Sequence, residues 1–364
     1  MPSLRASVVI PTFNRRAPLV RLLSTLAKQT VSREHFEVLV VDDGSAEEVG
    51  PAVQPFAQSL AITVLRQENS GVAVARQRGV TAAKAPIIVF VDDDMLLAEG
   101  FLAAHLAAHE GHPDRVVLGR LLPAEAIATM PLFERFHIEL LERMTVRWTE
   151  TRAFLGSELY TGNVSLPREL FFRAGGFDPS FFLEDAELGV RLELCGAELV
   201  FCPEAASVHA SDHTSVERWL TRSVVEGREW VRLSRKHPDV AAASPWNLIS
   251  HVGLAGRAFV GAALLLPELA PALSKALFQG SRACDRLGLG KVARGGITFV
   301  YALRYCEGMR RETGSLRDLY ASYQSFARAR AHPERARASF KPQPAPPVLD
   351  KTPEALRGVC AGSA

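Results

Sequence analysis

From Pro86 to Val91 the chain reads Pro-Ile-Ile-Val-Phe-Val without a polar residue, then turns abruptly into three aspartates, Asp92, Asp93 and Asp94. A segment apolar at every position, rather than at alternate ones, belongs between two covered faces inside a parallel sheet. The aspartates then emerge at the strand's carboxyl end, where open α/β sheets keep their ligands. Three adjacent carboxylates repel one another unless a cation sits among them. Hard oxygen donors suit Mg2+ or Mn2+, ions that usually share their coordination with a diphosphate. The stretch therefore predicts a metal and nucleotide-diphosphate site, with an exposed acidic turn as the bland alternative.

The amino-terminal half repeats this pattern. Ser7 to Phe13 is a β-branched run stopped by proline, and Leu19, Leu22, Leu23 and Leu26 then fall on one helical face. Phe36 to Val41 is a second buried strand, ending in Asp42-Asp43-Gly44-Ser45; the glycine and serine permit a sharp turn into a helix expected around residues 46–60. Ile62 to Leu65 makes a third strand, and Glu68 to Ala83 a loop and helix carrying Arg76 and Arg78. Cations there suit either a diphosphate or an ion pair with the acids. Such alternation argues for an α/β sheet with right-handed crossovers. Helices are expected at 101–109 and 131–144, with a strand at Val116 to Leu121 between them. Further on, Glu184-Asp185 opens a helix (Ala186 to Cys195), after Gly175-Gly176 and before a strand, Glu198 to Cys202, that leads to His209. Carboxylates at a helix start also have a plain explanation in the helix dipole.

Composition narrows the partners. The 364 residues are 48% hydrophobic, enough for a real core, and 42 basic against 40 acidic residues leave a net charge of +2. That balance gives no bulk electrostatic case for nucleic acid. Five cysteines without CxxC or zinc spacing fit reduced thiols in a cytoplasmic protein, and the amino terminus lacks a secretory signal pattern. The longest uncharged apolar stretch, Ala258 to Pro267, is shorter than the roughly 18 to 20 residues a spanning helix needs. Residues 215–236 form an expected basic amphipathic helix, solvated or facing phosphate. Residues 246–311 are helical and apolar between arginines, which suits either packing on the catalytic domain or peripheral contact with the inner face of a membrane. The expected division is a catalytic domain at 1–240, a helical region at 241–330, and a disordered Pro/Ala/Arg-rich tail at 331–364.

Taken in order, VVIPTFNR, VVDDGS, ENSGVAVARQRG, FVDDDM and TGNVSLPRELFFRAGGFDPSFFLEDAELGVRL, with a later histidine, resemble the inverting nucleotide-sugar glycosyltransferases of family 2, which have the GT-A fold. The likeness runs from about Ser7 to about Arg235. It implies an α/β fold, a GT-A mixed sheet flanked by helices, with a helical carboxyl-terminal region. It implies a nucleotide-diphospho-sugar donor, an acceptor that is a glycan, lipid-linked sugar or small metabolite, and Mg2+ or Mn2+ as cofactor. By the same resemblance Pro11, Thr12, Asn14, Asp43, Arg76, Asp92 and Asp93 bind the donor, and Asp92, Asp94 and His209 attend the metal. Gly162 and Asn163 lie on the acceptor side. Asp185 is the general base, with Glu184 as second candidate. The family often has Asn where this chain has Gln77. Processive members carry Gln-x-x-Arg-Trp and spanning helices; here Arg218-Trp219 stands without the Gln, which favours single transfer.

Three rivals remain. A sugar-phosphate nucleotidyltransferase would carry a basic glycine-rich loop after the first strand, and PTFNRR is not one. An Asp-x-Asp-x-Thr phosphatase fails at Leu96. A catalytically inactive, glycosyltransferase-like binding protein is opposed by the intact acids at 92–94 and 184–185.

Overall fold

The structure is a computed structural model that describes residues 3–125, 127–210, 215–250 and 253–340. Its first part alternates as the sequence predicts: β1 (Ala6–Thr12), α1 (Arg16–Leu26), β2 (Phe36–Asp42), α2 (Gly50–Val53), β3 (Ile62–Arg66), α3 (Val72–Ala82) and β4 (Ile87–Val91). There follow β5 (Met95–Leu97), α4 (Phe101–His109), β6 (Arg115–Pro123), α5 (Leu132–Thr151), β7 (Asn163–Pro167), α6 (Arg168–Arg173), α7 (Glu184–Leu194) and β8 (Glu198–His209). The helix expected over 46–60 is only α2 and a 3-10 turn at Gln54–Phe56. Pro51 is tolerated at a helix start, but Pro55 supplies no N–H and interrupts the ladder.

Eight strands form one sheet in the order β3-β2-β1-β4-β7-β6-β8-β5. The first four are parallel, with Thr12 opposite Asp42 and Val9 opposite Phe90. β7 is antiparallel to both β4 and β6, so the sheet is mixed, flanked by helices. From β1 the chain steps outward to β2 and β3, then returns to place β4 on β1's other side. The carboxyl ends of β1 and β4 thus border a topological switch point, where a crevice opens. Core side chains pack on both faces, around Phe90, Phe171 and Phe177 on one and Ile10, Leu22 and Phe101 on the other.

The second part is helical: α8 (Val216–Lys236), α9 (Pro245–Ser250), α10 (Leu254–Leu265), α11 (Ala270–Arg286), α12 (Gly290–Thr313), α13 (Leu316–Ala331) and α14 (Glu334–Ser339). The stretch expected as a disordered tail from 331 carries α14, and its part from 341 lies outside the described residues. α8 is the basic amphipathic helix expected, with Arg218, Arg222, Arg228 and Arg235 exposed. It buries Trp219, Leu220, Val224 and Val231, and its arginines are paired, Arg232 with Glu229 at 2.7 Å and Arg235 with Glu312 at 2.6 Å. α8 crosses α12 at backbone contact distance. A Cβ added at Gly227 would stand 2.0 Å from the Tyr305 carbonyl oxygen, and one at Gly308 would stand 2.0 Å from that of Val224.

Candidate active site

The crevice at the switch point is a cavity of about 560 Å3. Of the sequence-predicted residues, Pro11, Thr12, Asp43, Arg76, Asp92, Asp93, Asp94 and His209 line it, joined by Phe13, Arg15, Asn69 and Gly71. Each arrives at the end of a strand or the start of a helix. The three aspartates turn the chain from β4 into β5, closed by the Met95 N–H donating to the Asp92 carbonyl at 3.2 Å. β8 reaches the same place because its pairing with β6 slips between Gly119 and Arg120, letting the strand run on until His209 stands opposite Met95.

Across the gap the Thr12 hydroxyl donates to Asp93 at 2.7 Å, while Arg15 lies 3.1 Å from Asp93 and 2.7 Å from Asp94. His209 Nε2 is 3.4 Å from the same Asp94 oxygen. Burial pushes Asp93 up to about 7 against the Thr12 hydrogen bond and the Arg15 charge. Burial would raise Asp94 too, but the His209 hydrogen bond and charge, with Arg15, outweigh it and hold the carboxyl below its ordinary range. Asp43 is buried beneath the cavity's other end and accepts from Gln67 Nε2 at 2.7 Å and from the Ser70 and Gly71 N–H groups at 2.9 Å. It thereby fixes the loop that precedes α3.

Arg76 on α3 is buried and bridges two acids from distant elements, Asp92 at 2.6 Å and Glu184 at 2.8 Å. Glu184 and Asp185 start α7. Burial, then the neighbouring Asp185 charge, raise Glu184 to about 7 despite Arg76. Burial likewise raises Asp185, whose Oδ1 accepts from the Ala186 N–H at 2.8 Å. Beside them Phe182 is 50% exposed, and the Arg222 guanidinium lies 5.9 Å from its ring centroid. Within α7, Glu187 is fully buried, pairs with Arg191 one turn on, and receives Lys236 at 2.9 Å and His237 at 3.1 Å from the end of α8. Glu229 of α8 also accepts the Phe182 N–H at 3.0 Å.

Five expected site residues are not in the cavity wall: Glu184 and Asp185, already placed at the start of α7, and Asn14, Gly162 and Asn163. Asn163 is fully buried, with Oδ1 2.9 Å from His105 Nε2 and its Nδ2 donating to the Ala205 carbonyl and the Ser207 hydroxyl, each at 2.9 Å. Its amide is spent on the strands. Asn14, at φ 55, links the loops after β1 and β2: its N–H donates to Ser45 Oγ at 2.9 Å and its Oδ1 accepts from Ala46 at 2.8 Å. Gly162 sits against the site, since a Cβ there would come 3.0 Å from Asp92 Oδ2. Gln77 accepts the Phe177 N–H at 3.0 Å, a contact within the fold. Arg15 was not among the expected site residues. The signal was a pair of arginines directly after a strand whose neighbours end in acids.

A divalent cation fits here as a shared ligand. Asp94 Oδ1 is buried without a hydrogen-bond partner, and His209 adds one imidazole nitrogen. Among the described residues no three His, Cys, Asp or Glu side chains converge as a complete protein cage. Two protein donors, with the remaining positions left to phosphate oxygens and water, match the habit of Mg2+ and Mn2+ at diphosphates.

The sequence profile described as Glycosyl transferase family 2 matches residues 7–147. Validoxylamine A glucosyltransferase of Streptomyces hygroscopicus subsp. jinggangensis is 34% identical over 275 residues, covering 66% of this chain and 63% of the relative. Pre-mycofactocin glycosyltransferase of Mycobacterium tuberculosis is 30% identical over 244 residues, covering 65% of this chain and 49% of the relative. The match therefore spans between about half and somewhat under two-thirds of these curated relatives' length. Among solved structures, a mannosyltransferase from Pyrobaculum calidifontis in complex with GDP-Man and Mn2+ shares the fold, with a TM-score of 0.59 at 21% identity over 85% of this chain and 87% of that one. Residues 7–147 are thus homologous to the family-2 glycosyltransferases, and the chain has the GT-A fold.

Proposed function

We propose that the protein transfers a hexosyl group from a nucleotide-diphospho-sugar to an acceptor hydroxyl, with inversion, in single transfers. The observation that carries the reading is a pair of buried polar atoms without hydrogen-bond partners: Arg76 Nε and Asp94 Oδ1 belong to residues in the wall of one cavity. A cationic donor and an anionic acceptor left unpaired at a switch point suit a metal-bound diphosphate. Pro11, Thr12, Asp43 and Asp93 border the donor's nucleotide end, and Asp94 with His209 would hold Mg2+ or Mn2+. The ion would neutralise charge gathering on the departing diphosphate.

The chain's own groups then divide the work. Asp185 takes the proton as the acceptor oxygen bonds to the anomeric carbon; the bond to the diphosphate breaks on the opposite face, inverting the centre. Glu184 is committed to Arg76, which supports Asp185 as the base. Arg76, fixed between Asp92 and Glu184, faces the leaving group without needing to reorganise. Arg15 occupies the cation side of Asp93 and Asp94 and must yield some of those contacts to the bound donor. The relatives named as glucosyltransferases support a glucosyl donor, and validoxylamine A belongs among the acceptors to be tried.

The test is nucleoside-diphosphate release from UDP-, GDP- and dTDP-sugars with Mn2+ or Mg2+, with and without acceptors. Release from one donor is expected, reduced on the order of a hundredfold or more by Asp94→Ala and by Asp185→Asn. Release from no donor, with donor binding retained, would support the binding-protein alternative instead.

A further inference from the structure

α11 is apolar on two faces. One buries Ala270, Ser274, Phe278 and Ser281 in the helical core. The other carries Leu269, Leu273, Ala276, Gly280, Ala283 and Leu287, which recur at three- and four-residue steps and so form one stripe. All six are exposed, Leu273 by 46%, Leu269 by 49% and Leu287 by 75%. Nothing described covers the stripe: a Cβ added at Gly280 meets no atom within 4 Å. Leu265 and Leu266 extend it at one end, Leu289 and Val292 at the other, all exposed. The eighteen steps from Leu269 to Leu287 run roughly 27 Å along the helix axis.

Charge selects the occupant. From residue 270 to 298 the chain has five basic residues and one acid, Asp285, which is turned inward and paired with Arg135. Lys275, Arg282 and Arg286 lie on one flank of the stripe, and Lys291 follows the turn into α12; all four are exposed, and none forms an ion pair with a described acid. Among the described residues no single helix is long and apolar enough to cross a bilayer. An exposed apolar stripe with a basic flank, on a helix whose other face is anchored in the fold, is the pattern of a helix lying in a lipid interface.

We propose that the outer face of α11, with the leucines at both of its turns, docks flat on an anionic membrane surface. This narrows the peripheral contact expected of residues 246–311 to one helix face, and rests on that expectation; it does not depend on which sugar is transferred. The test is cosedimentation of the full chain with vesicles of phosphatidylcholine alone and of equal parts phosphatidylcholine and phosphatidylglycerol. Wild type should partition onto the anionic vesicles, and L269S/L273S/L287S should lower the partition coefficient about tenfold or more. K275Q/R282Q/R286Q should abolish the preference for phosphatidylglycerol and its sensitivity to salt. Donor-stimulated nucleotide release without vesicles should be unchanged in both variants, which separates failure here from failure of the transferase reading. Equal sedimentation of wild type and the leucine variant overturns the proposal. So does absence of vesicle binding together with a dimer, seen by analytical ultracentrifugation, that the leucine variant loses; the stripe would then be covered by a second copy.

Discussion

Glu184 and Asp185 are neighbours in sequence but differ in what they touch. Glu184 spends an oxygen on Arg76, and Asp185 only accepts from its own helix start. Burial raises both, so the pair titrates as a unit. A base must be deprotonated to act, and burial raises Asp185, so turnover should rise with pH through a midpoint above the ordinary aspartate range. Stability should run the other way. A carboxyl raised from 4.5 to about 7 binds its proton more tightly folded than unfolded, so its stabilising effect is full below the lower value and lost as pH rises to the upper one. Unfolding midpoints of wild type and Glu184→Gln, measured from about pH 5 to about pH 8, should show a decline with pH in wild type that the variant flattens. Equal slopes would place the proton elsewhere. At this scale the sequence announced residue types well and partners poorly. The acids at the strand ends were legible because periodicity locates strand ends. That Asn163 turns inward to His105, and that Arg15 reaches Asp94, depends on pairings between segments dozens of residues apart.

At the scale of elements, runs of apolar residues gave the strands and leucine spacing gave α1, but direction was hidden. Periodicity does not say whether β7 runs with or against β4, and that antiparallel insertion is what makes the sheet mixed. The helix over 46–60 failed for a local reason, its second proline. α8 kept its exposed arginines, but their partner was hidden for a tertiary reason: Glu312, which pairs with Arg235, comes from α12. The α8 and α12 crossing rests on the absence of a methyl group at Gly227. Gly227→Ala would drive a Cβ into the Tyr305 carbonyl and force the helices apart, costing about 1–3 kcal/mol. Chemical denaturation should show a lower midpoint with little change in slope; an unchanged midpoint would mean the helices separate without cost.

In the whole molecule, the sequence separates a sheet domain from a helical region near residue 240, and the fold stitches the two together before that point. Lys236 and His237, at the end of α8, meet Glu187 under the candidate base, while the same helix buries Trp219, Leu220 and Val231 in the helical core. A chain ending after residue 240 would leave that apolar face of α8 uncovered. It should lose cooperative thermal unfolding and nucleotide release together; a truncated chain that kept both would show that α8 does not need its second partner.

The double packing of α8 also bears on exchange between relatives. Because α8 serves two cores at once, the helical region is not an interchangeable attachment. A chimera joined near residue 240 would keep Glu187 with Lys236 and His237 but set one protein's Trp219, Leu220 and Gly227 against another's helices, leaving that face of α8 without the surface it fits. New acceptor preferences could be grafted onto this scaffold only with the joint moved upstream of α7, so that α7, α8 and α12 travel as one inheritance.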